Sequence, residues 1–374
     1  MAVTQLKVPY VDLARQHAPL KGDLLAAAGR VIDRGNFILG AEVAEFERRF
    51  ADLCGTADAV GVSSGGEALA LSLKVLGIGN GDEVISAPNS FVGSASSIAL
   101  TGAKPVFADV DDSFNLDPAK VEAAITPRTK ALMPIHLTGR PADMERLTEI
   151  AGRFHLYIIE DAAQAVLAAR GGKRVGAWGT TGCFSLHPLK TLNALGDAGV
   201  ITTDDQDLAD RLRVLRNFGL RTRDECAEWS TNSRLDTLQA AMLLVKLDRL
   251  EAWTERRRAN AAYYFEKLSG LPGLKLPFDR PGEYQVHHTF VIRSQRRDEL
   301  KAFLAARGVG SSIHYPIPIH LQPAAKSLGY KRGDFPVAER QAAEILSLPI
   351  HHDLEQHELA YVAQCVTEFF EQTS

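Results

Sequence analysis

Short apolar, β-branched runs alternate along the first half of the chain with segments long enough to form helices. Strands joined by helix-length connections pair in a largely parallel sheet that helices cover on both faces. The alternation therefore predicts an α/β fold, and open sheets of this kind bind ligands beyond the carboxyl ends of their strands. The runs are AVGVSS (59–64), DEVISAP (82–88), KPVFADV (104–110), KALMPIH (130–136), HLYIIED (155–161), GCFSL (182–186) and AGVITT (198–203).

A different pattern begins near residue 236. The stretch DTLQAAMLLVKLDRLEAWTERRRANAAYYFEKL contains neither proline nor glycine and carries Leu243, Leu247 and Leu250 on one face, which predicts one long helix over about 236–268. Proline- and glycine-rich turns, the strand-like HHTFVIR and a closing amphipathic stretch follow. We predict a large α/β domain over residues 1–249 and a smaller C-terminal α+β domain over residues 250–374, linked by the long helix.

Composition excludes several classes of protein. The 374 residues are 45% hydrophobic and 24% charged, as in an ordinary soluble globular protein. A formal net charge of -4 gives no electrostatic reason to bind nucleic acid or an anionic membrane. The four cysteines form no CxxC pair, which predicts neither a zinc site nor a disulfide framework.

The N-terminal stretch MAVTQLKVPYVDLARQ lacks the apolar core of a signal peptide, and no stretch approaches the roughly 20 apolar residues of a membrane helix. We expect a cytoplasmic protein without a metal site.

The segment SSGGEAL (63–69) follows the first apolar run and opens a helix. Ser64 and Glu67 have the spacing of a capping box, which by itself only starts a helix. Gly65 and Gly66 are unfavourable in a helix by about 1 kcal/mol each relative to alanine, so they favour a group that approaches the backbone closely. Free N–H groups at a helix N-terminus bind anions, and a phosphate is the natural candidate.

Two further segments place ionisable side chains directly after apolar runs. In IIEDAAQA (158–165), Asp161 either caps the next helix or holds a cationic ligand atom, which Gln164 could also reach. In FSLHPLKTLNALGDAG (184–199), Lys190 is either a surface lysine or, in a crowded site, an amine nucleophile that forms a Schiff base with an aldehyde. A phosphate cradle, a carboxylate and such an amine, in this order on a parallel sheet, together describe a pyridoxal-phosphate site.

Phrases over essentially the whole chain also resemble those of the DegT/DnrJ/EryC1/StrS group, the sugar aminotransferases among the fold-type-I pyridoxal-phosphate enzymes. The phrases are GNFILGAEVAEFERRFADLCG, GDEVISAPNSFVGSASSIAL, ITPRTKALMPIHLTG, IIEDAAQA, FSLHPLKTLNALGDAG, TNSRLDTLQAA, HYPIPIHLQPA and LSLPI. The resemblance implies a homodimeric enzyme that uses pyridoxal 5′-phosphate to move an amino group from L-glutamate to a nucleotide-linked keto-sugar, as in polysaccharide and other amino-sugar biosynthesis. HYPIPIHLQPA is similar to its form in members acting on C3 or C2, which implies a 3-keto hexose first and a 2-keto or 4-keto hexose next.

The resemblance implies a cofactor-binding role for each matching residue. Lys190 would carry the aldimine and shuttle protons, and the amino group would pass through a pyridoxamine phosphate intermediate. Asp161 would pair with the pyridinium nitrogen, and Gln164 would lie beside the ring oxygen. The remaining implied contacts are ring stacking by Phe91, phosphate binding by Ser64, Gly65, Gly66 and Ser185, and a contribution from Asn232 across the dimer interface.

Substrate contacts are implied for residues of two other phrases. His314, Tyr315 and His320 of HYPIPIHLQPA would close over the cofactor and sugar. The same phrase could instead form a structural loop stiffened by prolines, with both histidines satisfied by ordinary hydrogen bonds. Arg234, in the same phrase as Asn232, is a candidate for binding the donor's carboxylate.

Four departures from the family's usual residues leave every reacting group in place. Gly66 stands where threonine is usual, Val166 and Leu167 replace His-Gly, Thr191 replaces asparagine, and Phe218 replaces histidine. The related sugar dehydratases carry histidine in place of Lys190, so the lysine argues against that reaction. Two further functions stay open on these residues: a cofactor-dependent lyase or racemase acting on a free amino acid, and a regulatory protein that binds the cofactor without turnover.

Overall fold

The computed structural model describes residues 7–371; residues 1–6 and 372–374, which hold the outer ends of the two predicted domains and the beginning of the N-terminal stretch, lie outside the described range. The strands within it are β1 Asp58–Val62, β2 Glu83–Ser86, β3 Lys104–Phe107, β4 Thr129–Met133, β5 Tyr157–Asp161, β6 Ala169–Arg170, β7 Lys173–Arg174, β8 Thr181–Ser185, β9 Gly199–Thr203, β10 Glu283–Tyr284, β11 Phe290–Arg293 and β12 Ile345–Leu348. The α-helices are α1 Leu13–His17, α2 Lys21–Arg34, α3 Ala41–Cys54, α4 Gly65–Val75, α5 Val92–Leu100, α6 Pro118–Ala124, α7 Met144–Phe154, α8 Gln206–Leu215, α9 Thr237–Leu247, α10 Leu250–Leu268, α11 Arg297–Ala306, α12 Pro336–Glu344 and α13 Gln356–Glu371.

A seven-stranded sheet in the order β1-β9-β8-β5-β4-β2-β3 forms the centre of the molecule. The five strands from β8 to β3 pair in parallel, and β9 runs antiparallel to both of its neighbours, β8 and β1. Each of the seven apolar runs overlaps one of these strands, so the predicted α/β fold with a mostly parallel sheet is confirmed.

The two faces of the sheet belong to different hydrophobic cores. Neighbouring residues of β8 point to opposite sides, as the pleat of a strand requires. Phe184 packs in one core with Phe46 and Phe50 of α3, while Cys183 packs in the other with Leu73 of α4. Helices therefore cover both faces, and ligands can reach the sheet only at its edges or at its strand ends.

Local sequence explains where several of these helices begin and end. The residue before the helix caps its free N–H groups in two cases. Ser64 accepts from the Glu67 N–H in α4, and Asp205 accepts from the Leu208 N–H in α8. Helices α2 and α3 are followed directly by Gly35 and Gly55, which adopt the left-handed conformation that glycine tolerates best.

The prediction of one helix over about 236–268 is wrong. Helix α9 ends at Leu247 and α10 begins at Leu250. At the break the Arg249 N–H donates to the Lys246 carbonyl at 3.0 Å, a bond that closes a turn and does not continue the helix. Packing imposes the break, because α9 lies against α2 and α3 while α10 lies against α13.

The C-terminal part of the chain has a hydrophobic core of its own. Strands β11 and β12 pair antiparallel, and Phe290 of β11 packs with Tyr264 of α10 and Val366 of α13. A further core joins this part to the sheet, since Val291 clusters with Ile135. The domain boundary between residues 249 and 250 stays a prediction. In the described chain, no helix combines the length and the apolar character needed to cross a bilayer.

Candidate active site

Strands β1, β5 and β8 run in the same direction, because β9 reverses direction between β8 and β1. Their carboxyl ends therefore lie at the same end of the sheet. The chain leaves the sheet after Ser185, at the end of β8, and re-enters it at Gly199, which pairs directly with Ser185. The connection carries Lys190. Asp161 is the last residue of β5, and Ser64 follows β1 by two residues. Three of the predicted segments therefore converge at the carboxyl ends of these strands.

Lys190 lies in a turn in which its N–H donates to the His187 carbonyl at 2.8 Å. Its side chain is half-buried. Burial lowers the pKa of Lys190 to about 8, against the opposing effect of the Asp161 charge. An amine with this pKa is partly free base near neutral pH, as a nucleophile or general base requires.

Asp161 is buried and its carboxylate is held on both oxygens. Oδ2 accepts a hydrogen bond from Ser94 Oγ at 2.7 Å, and Oδ1 accepts from the Ala163 N–H at 3.2 Å. Ser94 lies on α5 and is itself buried, as is Ser90, whose hydroxyl is 3.0 Å from that of Ser94. Ser94 was not predicted from the sequence; two serines four residues apart at the start of a short apolar helix were the available signal.

The predicted phosphate cradle forms where α4 begins. The Ser64 hydroxyl accepts from the Glu67 N–H at 3.1 Å, so the capping interaction is present. A Cβ atom added to Gly65 would lie 2.6 Å from the Cβ of Ser185, whereas one added to Gly66 would meet nothing nearer than 3.8 Å. Gly65 thus lets Ser185 approach the first turn of α4, and Gly66 leaves open space beside the free N–H groups.

Gln164, Phe91 and Tyr315 lie together on another side of the site. The Thr138 N–H donates to Gln164 Oε1 at 2.7 Å, and Gln164 Nε2 lies 3.5 Å from the Tyr315 hydroxyl. The Phe91 ring is 60% exposed, and its centroid is 5.8 Å from that of Tyr315. Burial, with the Asp161 charge, raises the pKa of Tyr315 to about 12, so this hydroxyl stays protonated at neutral pH.

Two imidazoles lie close enough to Lys190 for its charge to lower their pKa values. His314 Nδ1 is 3.0 Å from Ser347 Oγ, and burial together with the Lys190 charge lowers the pKa of His314 to about 4. Burial followed by the Lys190 charge also holds the pKa of His288 well below its ordinary value. His288 was not predicted, and its buried Nδ1 has no hydrogen-bond partner among residues 7–371.

The structure does not bring His320 to this group. Its ring is buried against Phe335, with ring centroids 4.7 Å apart, and its Nε2 is 3.0 Å from Glu339 Oε1. This placement favours a structural histidine that is satisfied by ordinary hydrogen bonds. Val166 and Leu167 are likewise buried, in the hydrophobic core with Phe46.

Asn232 and Arg234 lie on a segment that runs beside the end of β1, where the Ser63 N–H donates to the Ser233 carbonyl at 2.9 Å. Asn232 is exposed. The Arg234 guanidinium donates to Asn217 Oδ1 at 2.8 Å and lies over the ring of Phe218. Within the described chain neither side chain forms a hydrogen bond or an ion pair with Lys190 or Asp161.

The sequence profile of the DegT/DnrJ/EryC1/StrS aminotransferase family matches residues 20–367. The chain belongs to this family. The aminotransferase is 46% identical to the dTDP-3-amino-3,4,6-trideoxy-alpha-D-glucose transaminase of Streptomyces venezuelae, over 98% of this chain and 97% of the relative. It is 42% identical to the UDP-N-acetyl-3-dehydro-alpha-D-glucosamine 3-aminotransferase of Acidithiobacillus ferrooxidans, over 96% and 97% of the two chains.

Solved structures agree with the fold. The aminotransferase superposes on S. venezuelae DesV in complex with a ketimine intermediate with a TM-score of 0.96 and 46% identity, covering 98% and 99% of the two chains. It superposes on Bacillus subtilis NtdA with bound cofactor PMP with a TM-score of 0.91 and 28% identity, covering 99% and 87%. The predicted family, fold type and transaminase class are confirmed, and the roles of the individual site residues stay predictions.

Proposed function

We propose that the protein moves the amino group of L-glutamate to a nucleotide-linked keto-sugar, with a 3-keto hexose as first candidate and a 2-keto or 4-keto hexose next. The observation that carries this proposal is the partly free amine of Lys190, in the connection after β8, under the influence of the buried Asp161 charge at the end of the neighbouring strand β5. The names of both relatives specify a nucleotide-linked sugar and a nitrogen at position 3, which supports the substrate class.

The described side chains fit pyridoxal 5′-phosphate as the cofactor. The first turn of α4 and Ser185 offer N–H and hydroxyl donors to a phosphate, and the absence of a side chain at Gly65 keeps them close together. The Asp161 carboxylate, fixed by Ser94, would hold the protonated ring nitrogen. Phe91 would lie on the ring and Gln164 beside its oxygen. When bound, the cofactor receives the amino group and withdraws electrons from the carbon that loses a proton.

In the proposed reaction Lys190 moves the proton at its Nζ. Because its pKa is about 8, the amine can accept a proton from the donor's α carbon and return it near neutral pH. The charge of Asp161 raises that pKa and so stabilises the protonated form of Lys190. The Tyr315 hydroxyl remains a hydrogen-bond donor throughout. With the keto-sugar the same groups act in the reverse order.

We further propose that a second copy of the chain completes the site by way of Asn232. The segment 231–237 that carries this exposed residue has apolar side chains on both sides: Ile38 pairs with Asp236, and Phe218 lies by Arg234. Ile38 and Phe218 are each 46% exposed. Apolar surface next to a predicted site residue is typical of a homodimer interface.

The visible absorption spectrum of the cofactor-loaded protein, before and after addition of L-glutamate alone, tests the proposal. We expect the yellow absorption to disappear while 2-oxoglutarate forms in equal amount. The Lys190→Ala variant serves as the control and should bind the cofactor without producing 2-oxoglutarate. A yellow protein that ignores glutamate would rule out this donor, and a protein that binds no cofactor would overturn the assignment. A panel of nucleotide-linked 3-keto, 2-keto and 4-keto sugars then identifies the acceptor.

A further inference from the structure

Lys246 of α9 is a fully buried lysine that the proposed reaction does not use. Lysines are almost never fully buried unless an opposite charge pairs with them. Among residues 7–371 no carboxylate forms an ion pair with Lys246, and burial lowers its pKa to about 8. An apolar side chain of similar length would fill the same space without this desolvation cost, so the ammonium needs another explanation.

The three N–H donors of Lys246 each find an acceptor. Nζ donates to the Asn193 carbonyl at 2.7 Å, to the Asn193 side-chain oxygen, and to His17 Nε2 at 2.7 Å. The tautomer of His17 follows from its other contact. Its Nδ1 lies 2.6 Å from the Leu13 carbonyl, which can only accept, so Nδ1 carries the hydrogen and Nε2 is free to accept.

Asn193 connects this cluster to Lys190. Its side-chain oxygen faces Lys246, and its Nδ2 donates to the Lys190 carbonyl at 3.1 Å. The N–H of Lys190 is already bound to His187, so both backbone groups of the lysine are held. The connection between β8 and β9 is thus fastened to α9, and through His17 to α1.

We propose that Lys246 is a positioning residue: acting through Asn193, it fixes the backbone of Lys190 and so aims the lysine's amine at the ligand site. This inference rests on the proposed role of Lys190. A role in stability alone would lower the melting temperature of a variant without changing the reactivity of the Lys190 amine in the protein that remains folded.

The test measures how fast Lys190 reacts with an aldehyde. Cofactor-free protein is mixed with pyridoxal 5′-phosphate, samples are reduced with borohydride at intervals, and peptide mass spectrometry quantifies modification at Lys190. Lys246→Met removes all three donors. Asn193→Asp keeps acceptors for Lys246 but removes the donor to the Lys190 carbonyl. Lys301→Met, at an exposed position on α11, is the matched control.

We expect Lys246→Met and Asn193→Asp to react about tenfold more slowly or worse, because misplacing a reacting group by a fraction of an ångström to 1 Å is costly. Asn193→Asp should melt no lower than wild type, and Lys301→Met should react at the wild-type rate. If Lys246→Met does not fold, Asn193→Asp decides alone. A wild-type rate in either folded variant would overturn the positioning role. Failure of wild-type protein to react at Lys190 would instead contradict the proposed function.

Discussion

At the scale of single residues, two opposing effects set the reactivity of Lys190. Burial disfavours the charged amine and lowers its pKa, while the negative charge of Asp161 favours the charged form and raises it. Burial wins, since the pKa falls from the ordinary 10.5 to about 8. The lysine therefore has a free amine near neutral pH, and the aspartate limits how far the pKa falls.

The balance predicts a pH profile for the modification of Lys190 in cofactor-free protein. The free amine becomes more abundant as pH rises through its pKa, so the rate should rise with a midpoint near pH 8. Asp161→Asn removes the charge that raises this pKa and should move the midpoint to lower pH. Asp197→Asn, in an exposed part of the same loop, is the control and should leave the midpoint unchanged. A midpoint near the ordinary lysine value, or one that rises in Asp161→Asn, would contradict this account.

At the scale of elements, helix α4 begins with two glycines that have different surroundings. A methyl group at Gly65 would clash with Ser185, whereas one at Gly66 has room. We expect Gly65→Ala to lower the free energy of unfolding by about 1–3 kcal/mol, as overpacking does. It should also weaken binding of the cofactor's phosphate, because Ser185 is pushed away.

The matched variant Gly66→Ala should unfold within about 0.5 kcal/mol of wild type or be slightly more stable, since alanine suits a helix better than glycine. Thermal unfolding and titration with pyridoxal 5′-phosphate measure both effects. Equal behaviour of the two variants would show that the close approach of Ser185 is not what makes the first glycine necessary.

Much of the fold is predictable because it depends on local patterns. Strands buried on both faces must be apolar along their length, and all seven central strands stand out for that reason. The break between α9 and α10 leaves no local mark, since neither glycine nor proline lies there. The bond from Ser94 to Asp161 spans 67 residues, and the contact of His17 with Lys246 spans 229, so only the folded chain brings them together.

At the scale of the whole molecule, the two groups of predicted site residues lie in different environments. At the carboxyl ends of the central strands, Asp161 is buried and Lys190 is half-buried. Asn232 is instead exposed, on a segment bordered by apolar surface. A residue in this position can serve either the site of its own chain or the site of a second copy. The proposed dimer adopts the second solution, and it makes a prediction that the first does not.

Mixing two inactive variants distinguishes the two solutions. We expect Lys190→Ala and Asn232→Ala each to lose nearly all turnover as pure proteins. In a mixed dimer the Asn232→Ala subunit keeps its own Lys190 and receives the intact Asn232 of its partner, so one site of the two is complete. Random exchange makes about half of the dimers mixed, and the mixture should recover about one quarter of wild-type activity. Mass measurement by light scattering checks that dimers form and exchange. If Asn232 serves the site of its own chain, the mixed dimer contains no complete site and the activity stays at the level of the separate variants.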